Sequence, residues 1–212
     1  NEELAEKLDM LEAINTASNL LVSRDNTDEI LSTTANFIVE IMQFDRAIIM
    51  MLDKSGTNLV FKYGFGANPE DIQTHLQDYT IPLSKEDNIL ARVAKEGRPM
   101  LVENPYSFGL NEDNRILANF DVTSFVICPL MASEGMIGIL AADRYLSEAT
   151  IDPKDIDDLS IFANTIAETL HKASLKEEIE ESYLNTVKAL VRAIEEKDAY
   201  TRGHSERVAE LS

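Results

Sequence analysis

Basic residues and cysteines are scarce in this chain, and each scarcity excludes a class of function. The 212 residues include 19 Lys and Arg against 38 Asp and Glu, which gives a formal net charge of −19. Such an acidic surface repels phosphate backbones and anionic lipids, so we expect neither nucleic-acid binding nor membrane binding. The single cysteine, Cys128, excludes an internal disulfide and a cysteine-based zinc cluster.

Long hydrophobic runs are also missing. No run approaches the roughly 20 apolar residues that span a bilayer, and no signal peptide is recognisable. The apolar fraction of 44% is still enough for a packed core. These features predict a cytoplasmic protein of one or two domains. Because the chain starts without Met and ends inside an apparent helix, we expect it to be a fragment.

Proline and glycine are absent from Lys154 to Arg202, which predicts one long helix. Asp152 is suited to cap it and Pro153 to occupy its first position, so the local acids are helix-start chemistry rather than a catalytic pair. Past Ser174 the apolar stripe narrows and continues to Ile194. A narrow stripe predicts a partner helix, and we expect a parallel homodimer held by this helix through Ile166–Ile194.

The N-terminal segment 1–23 has a similar pattern with steps of four and three residues. The heptad positions are Leu4, Leu8, Leu11, Asn15, Ser18 and Val22. The pattern predicts a helix that either forms a coiled coil or packs on its own domain, and the sequence leaves both open.

The stretch Ser124–Tyr145 is the centre of the predicted fold. Its two apolar runs, Phe125–Leu130 and Met136–Ala142, are separated by a short polar gap with Gly, which predicts a hairpin. Both faces of each run are apolar, so we expect a covering layer on each side of the sheet. Upstream, Arg46–Leu52 and Leu59–Tyr63 are expected to pair as a second hairpin. Farther on, Ser84 is expected to cap a helix that stops at Gly97.

Residues 26–173 resemble a GAF domain in their order of elements. The segments that carry the resemblance are TSFVICPLMASEGMIGILAADR and IPLSKEDNILARVAKEGRPMLVENP. The resemblance implies an α+β fold with a central antiparallel sheet of about six strands and helices on one face. It also implies a ligand pocket under loops on the other face, and long flanking helices would complete the chain.

A mostly apolar pocket with a few polar groups suits small-molecule capture. Aromatic and polar residues cluster where the family pocket would be, and these are the candidate ligand-binding residues. They are Tyr63, Phe65, His75, Tyr79, Phe120, Thr123 and Ser124.

Two ligand classes of the family fit this sequence poorly. Cyclic-nucleotide binders carry an Asn-Lys…Phe…Asp-Glu pattern, and three of its five positions differ here, where the residues are Asp143-Arg144, Ile151 and Asp155-Ile156. Bilin binders use a cysteine in a pocket loop, whereas Cys128 lies within a predicted strand and is expected to be a core residue. A haem bound by His75 is less favoured than a solvated or hydrogen-bonded histidine.

Residues 183–212 resemble the start of an HD-GYP domain, a metal-dependent phosphodiesterase that cleaves cyclic di-GMP. The carrying segment is KALVRAIEEKDAYTRGHSERVAELS. The resemblance implies that His204 is a metal ligand, for iron or manganese, in a longer protein. One imidazole alone cannot hold a catalytic metal, so we expect no catalytic residue and no cofactor in this chain.

These features divide the chain into four parts and leave two functions open. The expected parts are a helical linker (1–25), a sensory domain (26–173), a signalling helix (174–196) and the start of an output domain (197–212). One function is a sensor for an unidentified small molecule, and the other is a dimerisation and relay module without ligand. An enzyme is disfavoured because residues 1–180 contain no triad, P-loop or metal-ligand spacing.

Overall fold

The computed structural model describes residues 2–22, 26–85, 87–108, 116 and 119–197. It divides into two units, 1–171 and 172–212. The five α-helices and six β-strands of the described part follow one another along the chain. In order they are α1 (Glu2–Val22), α2 (Thr27–Glu40), β1 (Arg46–Leu52), β2 (Asn58–Gly66), α3 (Pro69–Leu76), β3 (Thr80–Pro82), α4 (Ile89–Glu96), β4 (Met100–Val102), β5 (Phe125–Ala132), β6 (Gly135–Asp143) and α5 (Pro153–Lys197).

The six strands form one antiparallel sheet in the order β3-β2-β1-β6-β5-β4, which confirms the predicted α+β fold. The β5–β6 hairpin forms as predicted, and all side chains from Phe125 to Leu130 are buried. A Cβ at Gly138 would collide with the backbone oxygen of Met50, so only glycine lets β1 approach β6 this closely.

One face of the sheet is covered by α2 and α5, and α1 contacts α2. Phe37 of α2 stacks against Phe162 of α5 with ring centroids 4.6 Å apart. The Cys128 sulfur on β5 lies 3.5 Å from the Ser160 hydroxyl on α5. The even-numbered side chains of β5 therefore face this helical layer. The Asp152 carboxylate accepts from the Asp155 amide at 3.0 Å, so the predicted cap starts α5.

The other face carries the short helices α3 and α4 in addition to the predicted loops. Buried residues of α3 (Ile72, Leu76) and α4 (Leu90, Val93) pack there against the sheet. Helix α4 starts at Ile89 rather than after Ser84, because the Asn88 side chain accepts from the amides of Leu90 and Ala91. The prediction that Ser84 caps this helix is therefore wrong.

Helix α1 buries a different face from the predicted seam, displaced from it by one residue. Ile14, Ala17 and Leu21 are buried, whereas the seam positions Leu8 and Leu11 are exposed. The side chains of Leu4, Ser18 and Val22 lie outside the described part. The helix therefore packs on its own domain and leaves apolar seam residues uncovered.

Helix α5 changes character along its length. Ile166 and Leu170 are fully buried in the first unit, so a dimer seam cannot include them. In the second unit the apolar residues of the stripe are exposed. They are Ile179, Tyr183, Val187, Leu190 and Ile194. None of the described helices combines the length and the apolarity that crossing a membrane requires.

Candidate functional site

The candidate site lies where β1 begins and β6 ends, on the face that carries α3. Arg46 and Asp143 are opposite one another in the antiparallel register and are 9% and 8% exposed. Arg46 Nε donates to both carboxylate oxygens of Asp143, at 3.1 and 3.0 Å. A buried charge requires such a partner, so the pair is part of the fold as well as the wall of the site.

Two aromatic rings enclose the Arg46 guanidinium. Its central carbon lies 5.8 Å from the centroid of Phe120 and 5.1 Å from that of Tyr145. Nη2 donates to the backbone oxygen of Asp121 at 2.7 Å. The guanidinium thus connects the start of β1 to Tyr145 and to the segment before β5. Its contacts with both rings are favourable cation–π interactions.

The protonation behaviour of this cluster indicates a crowded, negatively charged surrounding. Burial raises the pKa of the Asp143 carboxyl, although Arg46 opposes the shift and Asp45 adds to it. Desolvation and the neighbouring Asp121 and Glu148 carboxylates raise the pKa of the Tyr145 hydroxyl, against a smaller opposing effect of Arg46. Both shifts disfavour further negative charge at this site.

Two cavities meet at Arg46 and Phe120. The inner one is apolar and has room for only about 50 Å³, because side chains from α3, α4 and β6 fill most of it. The outer one is a cleft of about 260 Å³ with mixed polar and apolar walls. The residues that line this outer cleft are Arg46, Ala67, Asn68, Asp71, His75, Asn119, Phe120, Asp121, Tyr145 and Leu146.

The structure brings two of the seven predicted ligand-binding residues into this cleft, namely His75 and Phe120. Their rings make an edge contact with centroids 6.1 Å apart. His75 lies in the last turn of α3, and its Nδ1 is 2.8 Å from the backbone oxygen of Asp71. Because a carbonyl oxygen only accepts, Nδ1 carries the hydrogen in the neutral ring and Nε2 is an acceptor.

The other five predicted residues do not line either cavity in the described part of the chain. In the sheet, Tyr63 pairs with Ile49 and Phe65 pairs with Ala47. The side chains of these two pairs lie on the face opposite to the Ile48–Gly64 pair. Both rings therefore face the layer that contains α2. Tyr79 packs against the core that surrounds α3. Thr123 is exposed and Ser124 half-buried just before β5.

Five residues of the site were not predicted from the sequence: the charged Arg46, Asp71, Asp121 and Asp143, together with Tyr145. Arg46 and Asp143 end apolar strands, and a charge at a strand end usually faces solvent. The opposite charges of Arg46 and Asp143, at the predicted ends of two strands, could have indicated the pair. Cross-strand pairs of opposite charge are favourable. Recognising it required the pairing of β1 with β6, which the sequence alone did not provide.

A family model for the GAF domain matches residues 26–170, about two thirds of the chain. The chain belongs to the GAF family. GAF domains are sensory or regulatory modules of signalling proteins, and residues 26–170 are such a module. None of the curated proteins compared with the chain matches its sequence significantly.

Solved structures with this fold resemble the GAF unit at low sequence identity. A fragment of a methyl-accepting chemotaxis protein, residues 122 to 287, is 21% identical with a TM-score of 0.63, covering 75% of this chain and 97% of that chain. The GAF domain of a phosphoenolpyruvate-protein phosphotransferase from Coxiella burnetii is 14% identical with a TM-score of 0.68, covering 81% and 98%. A GAF domain/HD domain protein from Geobacter sulfurreducens is 12% identical with a TM-score of 0.60, covering 74% and 98%. At these identities the likeness shows the fold alone.

The positions that match the family's cyclic-nucleotide pattern have structural partners in this GAF domain. Asp143 is paired with Arg46, and Arg144 makes a bidentate pair with Asp155 at 2.6 and 2.8 Å. Arg144 also stacks over the ring of Phe44 at 4.7 Å. The first pair joins β1 to β6, and the second joins the residue after β6 to the start of α5.

Cys128 is fully buried, as predicted for a core cysteine, and burial raises the pKa of its thiol to about 11. In the ranges that the structure describes, no three His, Cys, Asp or Glu side chains converge to hold a metal ion. His204 lies outside those ranges, so its predicted role as a metal ligand stays a prediction.

Proposed function

We propose that this GAF domain binds a small molecule in the outer cleft and relays its state through a dimeric α5. The observation that carries the proposal is the cleft of about 260 Å³ in which His75, Phe120 and Tyr145 converge with charged groups. Concave sites with a few convergent polar groups are the usual place for ligand capture. The cleft is smaller than the roughly 300–1,000 Å³ of typical ligand pockets, which favours a ligand smaller than a nucleotide.

A thermal-denaturation screen with candidate ligands tests the binding step. A ligand that binds only the folded state raises the melting temperature. Phe120→Ala should reduce that rise because Phe120 lines the cleft, whereas Thr123→Ala should leave it unchanged because Thr123 does not. A ligand that stabilises both variants and the wild type equally would place binding elsewhere.

The output of the relay is proposed to be an HD-GYP phosphodiesterase for cyclic di-GMP. Support comes from the segment Lys197–Val208 and its His204, which resemble the opening of such a domain. In the longer protein His204 would be one ligand of an iron or manganese centre. The metal would activate the attacking water, and the remaining ligands would come from residues beyond this chain.

Two activity measurements test the output proposal. Cyclic di-GMP hydrolysis by this chain with added iron or manganese should equal the buffer rate. In the longer protein, His204→Ala should lower both the bound metal and the turnover. Full metal content in that variant, or hydrolysis by the present chain, would refute the assignment.

A module that relays without any ligand is the second candidate. It is favoured by the inner cavity, whose space of about 50 Å³ is too small for anything beyond a few water molecules. This candidate predicts that Phe120→Ala changes neither dimerisation nor output, and that no ligand alters the melting temperature.

A further inference from the structure

Negative charge exceeds positive charge among the residues that line the outer cleft, because Arg46 is already paired. Arg46 directs Nε to Asp143 and Nη2 to the backbone oxygen of Asp121. Its positive charge is compensated by the buried Asp143 carboxylate. An anionic ligand would therefore find no free positive charge at Arg46 and would have to displace an existing pair.

The acceptors that remain come from two sides of the cleft. The exposed Asp71 and Asp121 carboxylates line it, one on α3 and one on the segment that follows Phe120. His75 adds a third acceptor, since the bond from Nδ1 to the Asp71 carbonyl leaves Nε2 unprotonated in the neutral ring. These two carboxylates and the imidazole favour a positively charged ligand with N–H groups, which would share Asp121 with the hydroxyl of Tyr145 that already bonds to it.

The aromatic walls favour the same kind of ligand. The Phe120 ring already contacts one cation, the Arg46 guanidinium. It is also nearly perpendicular to the His75 ring. The faces of Phe and Tyr rings attract cations through their quadrupoles. Desolvation first and then the Asp121 carboxylate raise the pKa of the Tyr145 hydroxyl, which agrees with the negative charge of Asp121 at this wall.

Taking these observations together, we propose that the cleft binds a small organic cation, an ammonium or amidinium compound. Asp71, Asp121 and His75 Nε2 accept its N–H groups, and its carbon skeleton lies against Phe120. The inference rests on the proposed ligand-binding function and narrows it to one chemical class. It also excludes cyclic nucleotides and other anions, whose charge the Asp71 and Asp121 carboxylates repel.

Three probes of similar size and different charge test the class: butylammonium, butanol and butyrate. Amide and imidazole NMR signals of the 212-residue chain report binding at His75 and in the cleft. Butylammonium should perturb these signals and saturate. Butanol should bind about tenfold more weakly, a difference of about 1.4 kcal/mol, because it lacks the charge. Butyrate should leave the signals unchanged.

Matched variants assign the acceptors. Asp71→Asn and Asp121→Asn should each weaken butylammonium binding about tenfold, and both should leave the backbone contact of Asp121 with Arg46 intact. Glu96→Gln removes the same charge from the exposed end of α4 and should not change the affinity. If the wild type and a variant that combines Asp71→Asn with Asp121→Asn bind butylammonium with equal affinity, the assignment of the acceptors is overturned.

The outcomes separate the ligand class from the proposed function itself. If butyrate or cyclic GMP perturbs the cleft signals and butylammonium does not, the cleft binds ligands but the cationic class is wrong. If none of the four compounds perturbs these signals, the cationic class falls. The ligand screen by thermal denaturation then decides between another ligand and the relay without ligand.

Discussion

Arg46 and Asp143 form a buried ion pair that joins the first residue of β1 to the last residue of β6. Arg46 Nε lies 3.1 and 3.0 Å from the two carboxylate oxygens, and both residues are at most 9% exposed. The pair lies at one end of the two central strands, where Arg46 lines the outer cleft. It therefore couples the stability of the central strands to the geometry of the candidate site.

The first prediction concerns this pair. Arg46→Met leaves the Asp143 charge buried without its partner and should destabilise the domain by about 3–5 kcal/mol in urea unfolding. Adding Asp143→Leu removes the stranded charge and should restore most of the loss. If Arg46→Met and the double variant unfold at the same urea concentration, the pair does not stabilise the fold in this way.

The second prediction tests the central hairpin. Leu140 on β6 is fully buried between β1 and β5, so Leu140→Asp places an unpaired charge in the core. The cost of several kcal/mol approaches the whole stability of a domain, and we expect no cooperative melting. Leu146→Asp is the matched control, because Leu146 is exposed and the variant should melt like the wild type.

Much of this sheet was predictable from the sequence, because a run that is apolar on both sides has few alternatives to a central strand. The start of α5 was predictable for a similar reason, since Asp152 and Pro153 fit only a helix beginning. The start of α4 was not predictable, because Ser84 and Asn88 are both residue types that cap helices well. Turn hydrogen bonds from Lys85 to Pro82 and from Asn88 to Lys85 precede the helix, so Asn88 is the cap.

The site was predicted less well than the fold, and a single β-bulge explains part of the error. The pairing of β1 with β2 shifts between Ile49 and Met50, so Lys62 has no partner position. The Phe61 side chain lies on the same face of the sheet as Met50, whereas the side chains of Tyr63 and Phe65 lie on the opposite face. Strict alternation would have placed all three rings together, and nothing in the sequence marks the extra residue.

The third prediction is a pH dependence that arises at the β1–β2 turn. The Asn58 side chain, 2.6 Å from Oδ2, is the main cause that lowers the pKa of Asp53 from its ordinary 3.8 to about 2. Bonds from Ser55 and from the Thr57 and Asn58 amides add to the effect. Carboxyl carbon NMR should therefore show that the pKa of Asp53 lies near 2, below its ordinary 3.8.

The sign of the effect on stability follows from linkage. Because the folded pKa is depressed, the Asp53 charge stabilises the fold fully above pH 3.8, and this contribution is lost as the pH falls towards 2. The difference in urea midpoint between wild type and Asp53→Asn should shrink over that range. Asp87→Asn, at an exposed position, should show no comparable change.

The fourth prediction concerns the dimer. Ile179 and Val187 belong to the exposed apolar stripe of α5 in the second unit, and uncovered stripes of this kind favour a partner helix. Ile179→Asp with Val187→Asp should convert a dimer to monomers in light scattering. Ser174→Asp with Asn185→Asp adds the same charge at exposed positions outside the stripe and should leave the dimer intact. A wild-type monomer at micromolar concentration would contradict the proposal.

The central claim is that this GAF domain senses a small molecule in the cleft beside Arg46 and Phe120. Native mass spectrometry of the chain, after equilibration with a filtered small-molecule extract of cells, tests it most directly. We expect a small-molecule adduct on the wild-type chain, which Phe120→Ala reduces and Thr123→Ala retains. A wild-type chain that carries no adduct, or an adduct that Phe120→Ala leaves unchanged, would contradict it.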